Sequence, residues 1–441
     1  MYAHRRAVFA LLAVGLAAAQ EQEGKKLLPG EFDSYNEIVK DINQKNFAKA
    51  LTDIDTWRQK FPNSAYRDDG AALEIQAFAE THQPAKALDA LAPIMARGLD
   101  TVYPGPQGQA TAIRLLYSAT WAIPQLPNPT DDEISTGQKA ARQLMDYDRQ
   151  LPGVSPAAWE QARADMKEKA GAALFYLAIL PGERAMAKQP PNCAAAESAY
   201  VLALGAYPDR AIVSYNLGRA LNCQVRDQPD KVFAAIYEFQ RAAVIDPKLG
   251  DPNADPSKVR TFADNAYTRV HGSTEGLDQL KQTVKQSTLP PEGFRFPTAA
   301  EVAQQKRTEF EQSNPQLAMW MRIKSALVDS NGASFFESQM KDSAVPLLRG
   351  TLVEAKPACR PKELLVAVPL PDSPQPPAAQ IRLKLDKPLV GKPAVGSEFQ
   401  FEGVATAFAP QPFLLTLDAE TVKITGLKLD ACVAPVPRKK Q

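Results

Sequence analysis

The sequence predicts a multi-domain chain, α then β: a solenoid of paired helices followed by a small all-β barrel or sandwich. From residue 31 to about 285, apolar residues recur with helical period between Pro-rich breaks. From about 344 the period falls to two, with Pro and Gly between short runs. The 441 residues also exceed what one hydrophobic core serves.

Composition narrows the function classes. With 51 Lys+Arg against 50 Asp+Glu there is no basic excess to hold a phosphate backbone, so a nucleic-acid partner is not expected. Three histidines, His4, His82 and His271, argue against histidine metal sites and most acid–base dyads.

The first element, 1–19, has the build of a secretory signal. Arg5 and Arg6 precede an apolar run of about a dozen residues that ends in Leu16-Ala17-Ala18-Ala19. That run is shorter than the ~20 apolar residues a membrane span needs. Cleavage after Ala19 is expected, leaving a short linker at 20–30 and a protein not integral to the membrane; an uncleaved anchor is the alternative. Export to a periplasm or beyond the cell makes disulfides possible. The four cysteines fall two in the helical region and two around the β region. Pairing within each region gives Cys193–Cys223 and Cys359–Cys432, each stabilising by roughly 3–4 kcal/mol on the loop-entropy model. Other pairings, or free buried thiols, stay open at this point, but without a CxxC motif catalytic thiol chemistry is not expected.

The helical domain is predicted at 31–285. Three stretches share one spacing: Ala50, Ile54, Trp57, Pro62; Ala196, Tyr200, Ala203, Pro208; and Ala235, Phe239, Ala242, Pro247. A small residue lets a neighbouring helix approach, a bulky one fills the gap, and Pro ends the helix. This pattern resembles the second helix of a tetratricopeptide repeat (TPR). Counting on from Pro208, Leu217-Gly218 stand where that family has its Leu-Gly pair, and Leu221 where it has Tyr. The 39 residues from Pro208 to Pro247 exceed the usual ~34, and the polar turn 222–230 absorbs the difference. The match is specific over 193–247 and fair over 31–62; a generic α-solenoid is the alternative. The resemblance implies a groove holding a peptide or partner protein, with Tyr215, Asn216 and Arg219 as candidate binding residues.

Between these stretches the pattern is looser. Helix pairs are predicted at 64–79 with 84–95, and at 109–123 with 131–149, where Thr130 or Asp131 caps the second helix and Glu133 sits in its first turn. Ser155-Pro156 opens a long helix over 155–180. Helices at 256–271 and 275–287 close the array. A linker at 286–342 contains two more, at 297–313 and 316–328, the latter with Leu317, Trp320, Met321 and Ile323 on one face, read as packing.

The β module is predicted at 343–434, with strands at 348–353, 363–368, 380–385, 398–404, 413–417 and 422–427. Gly350 and Gly403 suggest bulges or barrel corners. The spacing resembles an OB-type barrel. A basic tail occupies 435–441.

No G-x-S-x-G, H-E-x-x-H, Walker A or G-x-G-x-x-G motif occurs. Asp68-Asp69 and Asp131-Asp132 suit helix starts, and 246–255 lacks the acid spacing of a calcium loop. The expectation is a non-enzymatic cell-envelope scaffold or adaptor, without cofactor or metal, that binds a protein or peptide. The alternatives are a β module binding glycan or peptide, positioned by the helices, and a cell-wall hydrolase working through carboxylates alone.

Overall fold

A computed structural model describes residues 28–369 and 378–432. The expected signal at 1–19, most of the 20–30 linker and the 435–441 tail lie outside the described residues. The chain divides into two compact units, at Phe296 and Pro297.

The first unit is helical. Its elements are α1 (Glu31–Asn43), α2 (Phe47–Lys60), α3 (Arg67–Glu80), α4 (Pro84–Arg97), the short α5 (Leu99–Val102), α6 (Gly105–Ala122), α7 (Asp131–Met145), α8 (Pro156–Ala187), α9 (Cys193–Ala206), α10 (Ala211–Cys223), α11 (Lys231–Ile245), α12 (Pro256–His271) and α13 (Leu277–Thr283). Successive helices from α1 to α12 pack on one another, α13 packs on α11, and first helices of neighbouring pairs also meet: α3 touches both α1 and α6, and α6 touches α8. Short helices hide their apolar faces this way because none hides its own. Apart from the helix-ending prolines, the residues that share one spacing in the sequence, among them Ala50, Ile54, Tyr200 and Phe239, are all buried. Gly218 lets α11 come close: a Cβ there would stand 2.7 Å from the Phe239 ring.

Local chemistry sets the helix ends. Thr130, not Asp131, caps α7: its hydroxyl accepts from the Glu133 amide (3.2 Å) while the Glu133 carboxylate accepts from the Thr130 amide (2.5 Å). Thr130→Ala is expected to cost about 1 kcal/mol, read from urea unfolding midpoints. The Ser155 hydroxyl accepts from the Ala158 amide (3.3 Å) to open α8. That helix runs past the expected end, through Pro181 to Ala187, and in this extension Gly182 lies against the Tyr200 ring, with room for no Cβ.

Helix α11 is buried on every side, Phe233 and each residue from Ala235 to Ala243 being covered. The segment after α13 supplies the cover: Phe294 packs edge-on to Tyr237 (5.1 Å) and Phe296 to Phe233 (5.1 Å). Residues 286–296, read from sequence as linker, thus fold with the helices.

The second unit opens with α14 (Ala299–Ser313), α15 (Pro315–Val328) and α16 (Gly332–Phe335), the last running into a π turn over Phe336–Met340. Strands β1 (Ala344–Lys356), β2 (Glu363–Ala367), β3 (Ile381–Leu385), β5 (Glu398–Pro410) and β6 (Phe413–Ala419) form a closed barrel in the order β1-β2-β3-β6-β5; β4 (Lys392–Pro393) pairs with β7 (Leu429–Asp430) in a separate ribbon. Every barrel pairing is antiparallel except β3 with β6. Closure leaves this sheet no free edge. Alternate residues such as Phe399, Phe401, Leu383 and Leu417 fill the interior.

Three features differ from the sequence reading. The run 422–427 is not a strand: Thr421–Lys423 is a 3-10 turn, and only Thr425 bridges, to Gln400. Val422 is 81% exposed, while Ile424 and Leu427 pack against the barrel core from this irregular segment. Gly350 is a point of close approach: a Cβ there would collide with Val366, while the β1 register shifts fall at Val345/Leu348 and Leu352/Glu354. And α15, read as part of a linker, shares the barrel's core through Trp320 and Leu327, with Leu317 and Ile323 against them; Met321 stays 41% exposed.

Cys193 bonds Cys223 and Cys359 bonds Cys432, with Cα–Cα distances of 6.1 and 5.9 Å. The first fastens α9 to α10; the second ties the β1–β2 loop to the chain just after β7. Both pairs are those of the within-region pairing, and such bonds belong to oxidising compartments. Among the described residues, no helix is long and apolar enough to cross a membrane.

Candidate functional site

The three residues singled out in α10 lie where α8, α9, α11 and α12 converge. Tyr215 is half-buried, its ring against Phe239 (5.6 Å) and Phe262 (6.0 Å). Asn216 is 5% exposed. Its side-chain amide donates to Glu183 Oε1 at 2.8 Å, and its carbonyl accepts from Arg219 Nη1 at 3.4 Å. Arg219 is exposed. Of the three, Arg219 alone reaches freely into solvent; Asn216 serves as a buried bracket.

What Asn216 brackets is Glu183, on α8. The same Oε1 atom accepts from the Tyr200 hydroxyl at 2.9 Å. Burial, and then the adjacent Glu183 charge, push the Tyr200 phenol well above its ordinary range, so it stays a donor at any physiological pH. Two donors on one oxygen orient the carboxylate while the residue itself remains exposed. Phe262, on α12, completes the patch; it is 44% exposed. An acid, a base and an aromatic ring thus stand on three successive first helices, linked through Asn216 and Tyr215. No nucleophile–base pair lies among them. The set offers charge pairing, amide hydrogen bonding and an apolar face.

Neither Glu183 nor Phe262 was singled out from sequence. Glu183 had one available signal: Gly182 faces Tyr200 as Gly218 faces Phe239, a Cβ at either coming within 2.7 Å of the opposing ring. Reading Gly182 as a helix-contact glycine puts Glu183 beside the neighbouring helices, where Tyr200 and Asn216 meet it. Phe262 carries no such mark.

The histidines stand apart. His271 is buried, stacked on Tyr267 at 5.2 Å and bonded through Nδ1 to the Ser273 hydroxyl (3.1 Å). His82 sits in a turn at φ 55°, near Trp121. Among the described residues, no three His, Cys, Asp or Glu side chains are grouped to hold a metal. The barrel unit offers a different surface, with Val390 (84%), Val395 (68%) and Val422 (81%) exposed around and near the β4–β7 ribbon.

In comparisons with protein-family models, characterised proteins and solved structures, nothing matches this chain.

Proposed function

We propose that the protein is an exported, non-enzymatic adaptor of the cell envelope, and that it holds a peptide or protein segment on the face built by α8, α10 and α12. The observation that carries this is the solvent-facing set Glu183, Arg219 and Phe262, pre-oriented by the buried Asn216 and the half-buried Tyr215. Fixing such side chains before binding reduces the ordering cost of a complex. The TPR reading of the helical unit rests on the shared spacing and on Gly218 against Phe239. It supplies the general use of that face, peptide capture. Export rests on the 1–19 segment together with two disulfides. An OB-type reading of the barrel rests on its strand order, closed through the parallel β3–β6 pair.

Site-specific photocrosslinking in native envelopes tests the assignment. A photoreactive residue at Phe262 or Arg219 is expected to trap a discrete protein adduct, lost on Glu183→Lys, while one at the exposed Leu202 of α9 (77%) traps none. Adducts from Val390, Val395 or Val422 alone move the binding role to the β module, the second reading, which those exposed valines favour.

A further inference from the structure

One end of the barrel gathers more cations than acids. Three segments meet there: 359–362 of the β1–β2 loop, 385–396 through β4, and 421–432 through β7. Their backbones bond one to the next. The Arg360 amide donates to the Gly391 carbonyl (2.8 Å), the Leu389 amide to the Pro361 carbonyl (3.1 Å) and the Ala394 amide to the Lys428 carbonyl (3.1 Å). The Thr421 hydroxyl donates to the Lys387 carbonyl (2.9 Å), and the Cys359–Cys432 disulfide closes the group. On these segments stand Arg360, Lys362, Lys387, Lys392 and Lys428, all exposed and none in an ion pair among the described residues. Two acids lie among them. Asp386 Oδ1 already accepts from the Thr421 amide (2.7 Å) and hydroxyl (2.6 Å), and Asp430 stands opposite Lys392 in the ribbon. The excess is local, in a chain whose 51 Lys+Arg balance 50 Asp+Glu. Three more cations, Arg438, Lys439 and Lys440, follow in sequence within eight residues of the anchored Cys432.

The ribbon aims its lysines outward. Lys392 faces Asp430 in register, and Ala394 bonds Lys428 one step further along. Pro393 is buried and Leu427 packs against the barrel core, so the alternation of a strand turns Lys392 and Lys428 to the opposite, solvent side. Aliphatic side chains interleave with these cations: Val390 is 84% exposed, Val395 68%, Val422 81% and Leu429 43%. No aromatic residue occurs in the three segments, so nothing there would stack on a base or a sugar. A soluble polyanion satisfies the cations and leaves the valines in water. The surface of an anionic bilayer satisfies both, with headgroup phosphates for the cations and the acyl boundary for the aliphatics.

We propose that this end of the barrel docks on an anionic lipid surface, with Arg360, Lys392 and Lys428 against the headgroups and Val390 and Val422 at the acyl boundary. This goes beyond the adaptor reading and does not rest on it, because these residues belong to the second unit and Glu183, Arg219 and Phe262 to the first.

Flotation with vesicles tests the proposal. The chain from residue 20 is used, which keeps every described residue and omits the apolar 1–19 run that would itself enter a bilayer. It is expected to float with phosphatidylcholine vesicles containing about 30% phosphatidylglycerol, at least about tenfold more tightly than with phosphatidylcholine alone. Raising salt from about 0.1 M to about 1 M is expected to release it. Lys392→Gln with Lys428→Gln is expected to weaken binding at least about tenfold, with the melt unchanged, while Lys392→Arg with Lys428→Arg retains it. Val390→Ser with Val422→Ser is expected to weaken it several-fold. Lys306→Gln with Arg307→Gln, exposed cations of α14, is expected to change nothing. The proposal is overturned if the anionic vesicles bind no protein, if both vesicles bind alike, or if the Lys392 and Lys428 exchange has no more effect than that of Lys306 and Arg307. It is equally overturned if polyglutamate releases the protein at matched charge and the valine exchanges change nothing, which makes this end a site for a soluble polyanion. A protein adduct from a photoreactive residue at Val390, in place of vesicle binding, assigns the face to a protein and overturns it too.

Discussion

Raising the pH from about 5 to about 8 is expected to destabilise the helical unit, and Glu238→Gln is expected to abolish that loss. Glu238 lies within the all-round burial of α11, 0% exposed, and neither of its oxygens has a hydrogen-bond partner. Burial pushes its carboxyl up to about 8; the neighbouring Ser214 hydroxyl and the Arg241 charge pull the other way by less. Arg241 falls short because its N–H groups are committed to Ser214 Oγ, the Pro208 carbonyl (both 2.7 Å) and the Ser287 carbonyl (3.3 Å). The folded carboxyl therefore holds a proton that the unfolded chain, with an ordinary value of 4.5, releases. Wherever the native state binds more protons, stability falls as pH rises. Below the unfolded value the contribution is fully present; through the window up to about 8 it drains away. The slope is about 1.4 kcal/mol per pH unit, amounting to a few kcal/mol in all. Urea unfolding of wild type and Glu238→Gln at a series of pH values reads it directly. Parallel curves for the two proteins would show that Glu238 ionises normally in the fold.

Trp320→Ala is expected to cost about 3–5 kcal/mol in the second unit, the range for emptying a buried aromatic site. The indole is 0% exposed, packs edge-on to Phe413 at 6.2 Å and donates from Nε1 to Gln380 Oε1 at 3.3 Å. Removing it opens a cavity between α15 and the barrel and leaves the Gln380 carbonyl without its donor. Hydrogen exchange resolves the effect by element. Amides of β1, β3 and β6 are expected to lose protection, while those of α1 to α13 keep theirs. Unchanged protection in the strands would detach α15 from the barrel core and restore it to a linker.

The two regions differ in how much a linear reading yields. In the helical region, Ala196, Tyr200 and Ala203 repeat the spacing of Ala235, Phe239 and Ala242, so helix, buried face and neighbour follow from positions a few residues apart. Thr130 with Glu133, and Ser155 with Pro156, mark helix starts for the same reason: a cap bond spans three residues. In the β region the alternation at 363–368 and 413–417 locates strands, but at 422–427 the same alternation has no partner strand, and the run becomes a turn and a single bridge. Period two reports a pleat and says nothing of what lies beside it.

Helix pairs, strands and the grouping of cysteines by region all stand in the order of the residues, because each depends on local periodicity, caps or short spacing. The convergence of Glu183 with Asn216, thirty-three positions on, does not. Nor does the retained proton of Glu238, or the seating of Trp320 against Gln380 and Phe413, sixty and more residues later. Each of these is set by which distant groups fill the space around a side chain. Desolvation and pairing act through that space, whatever the separation along the chain.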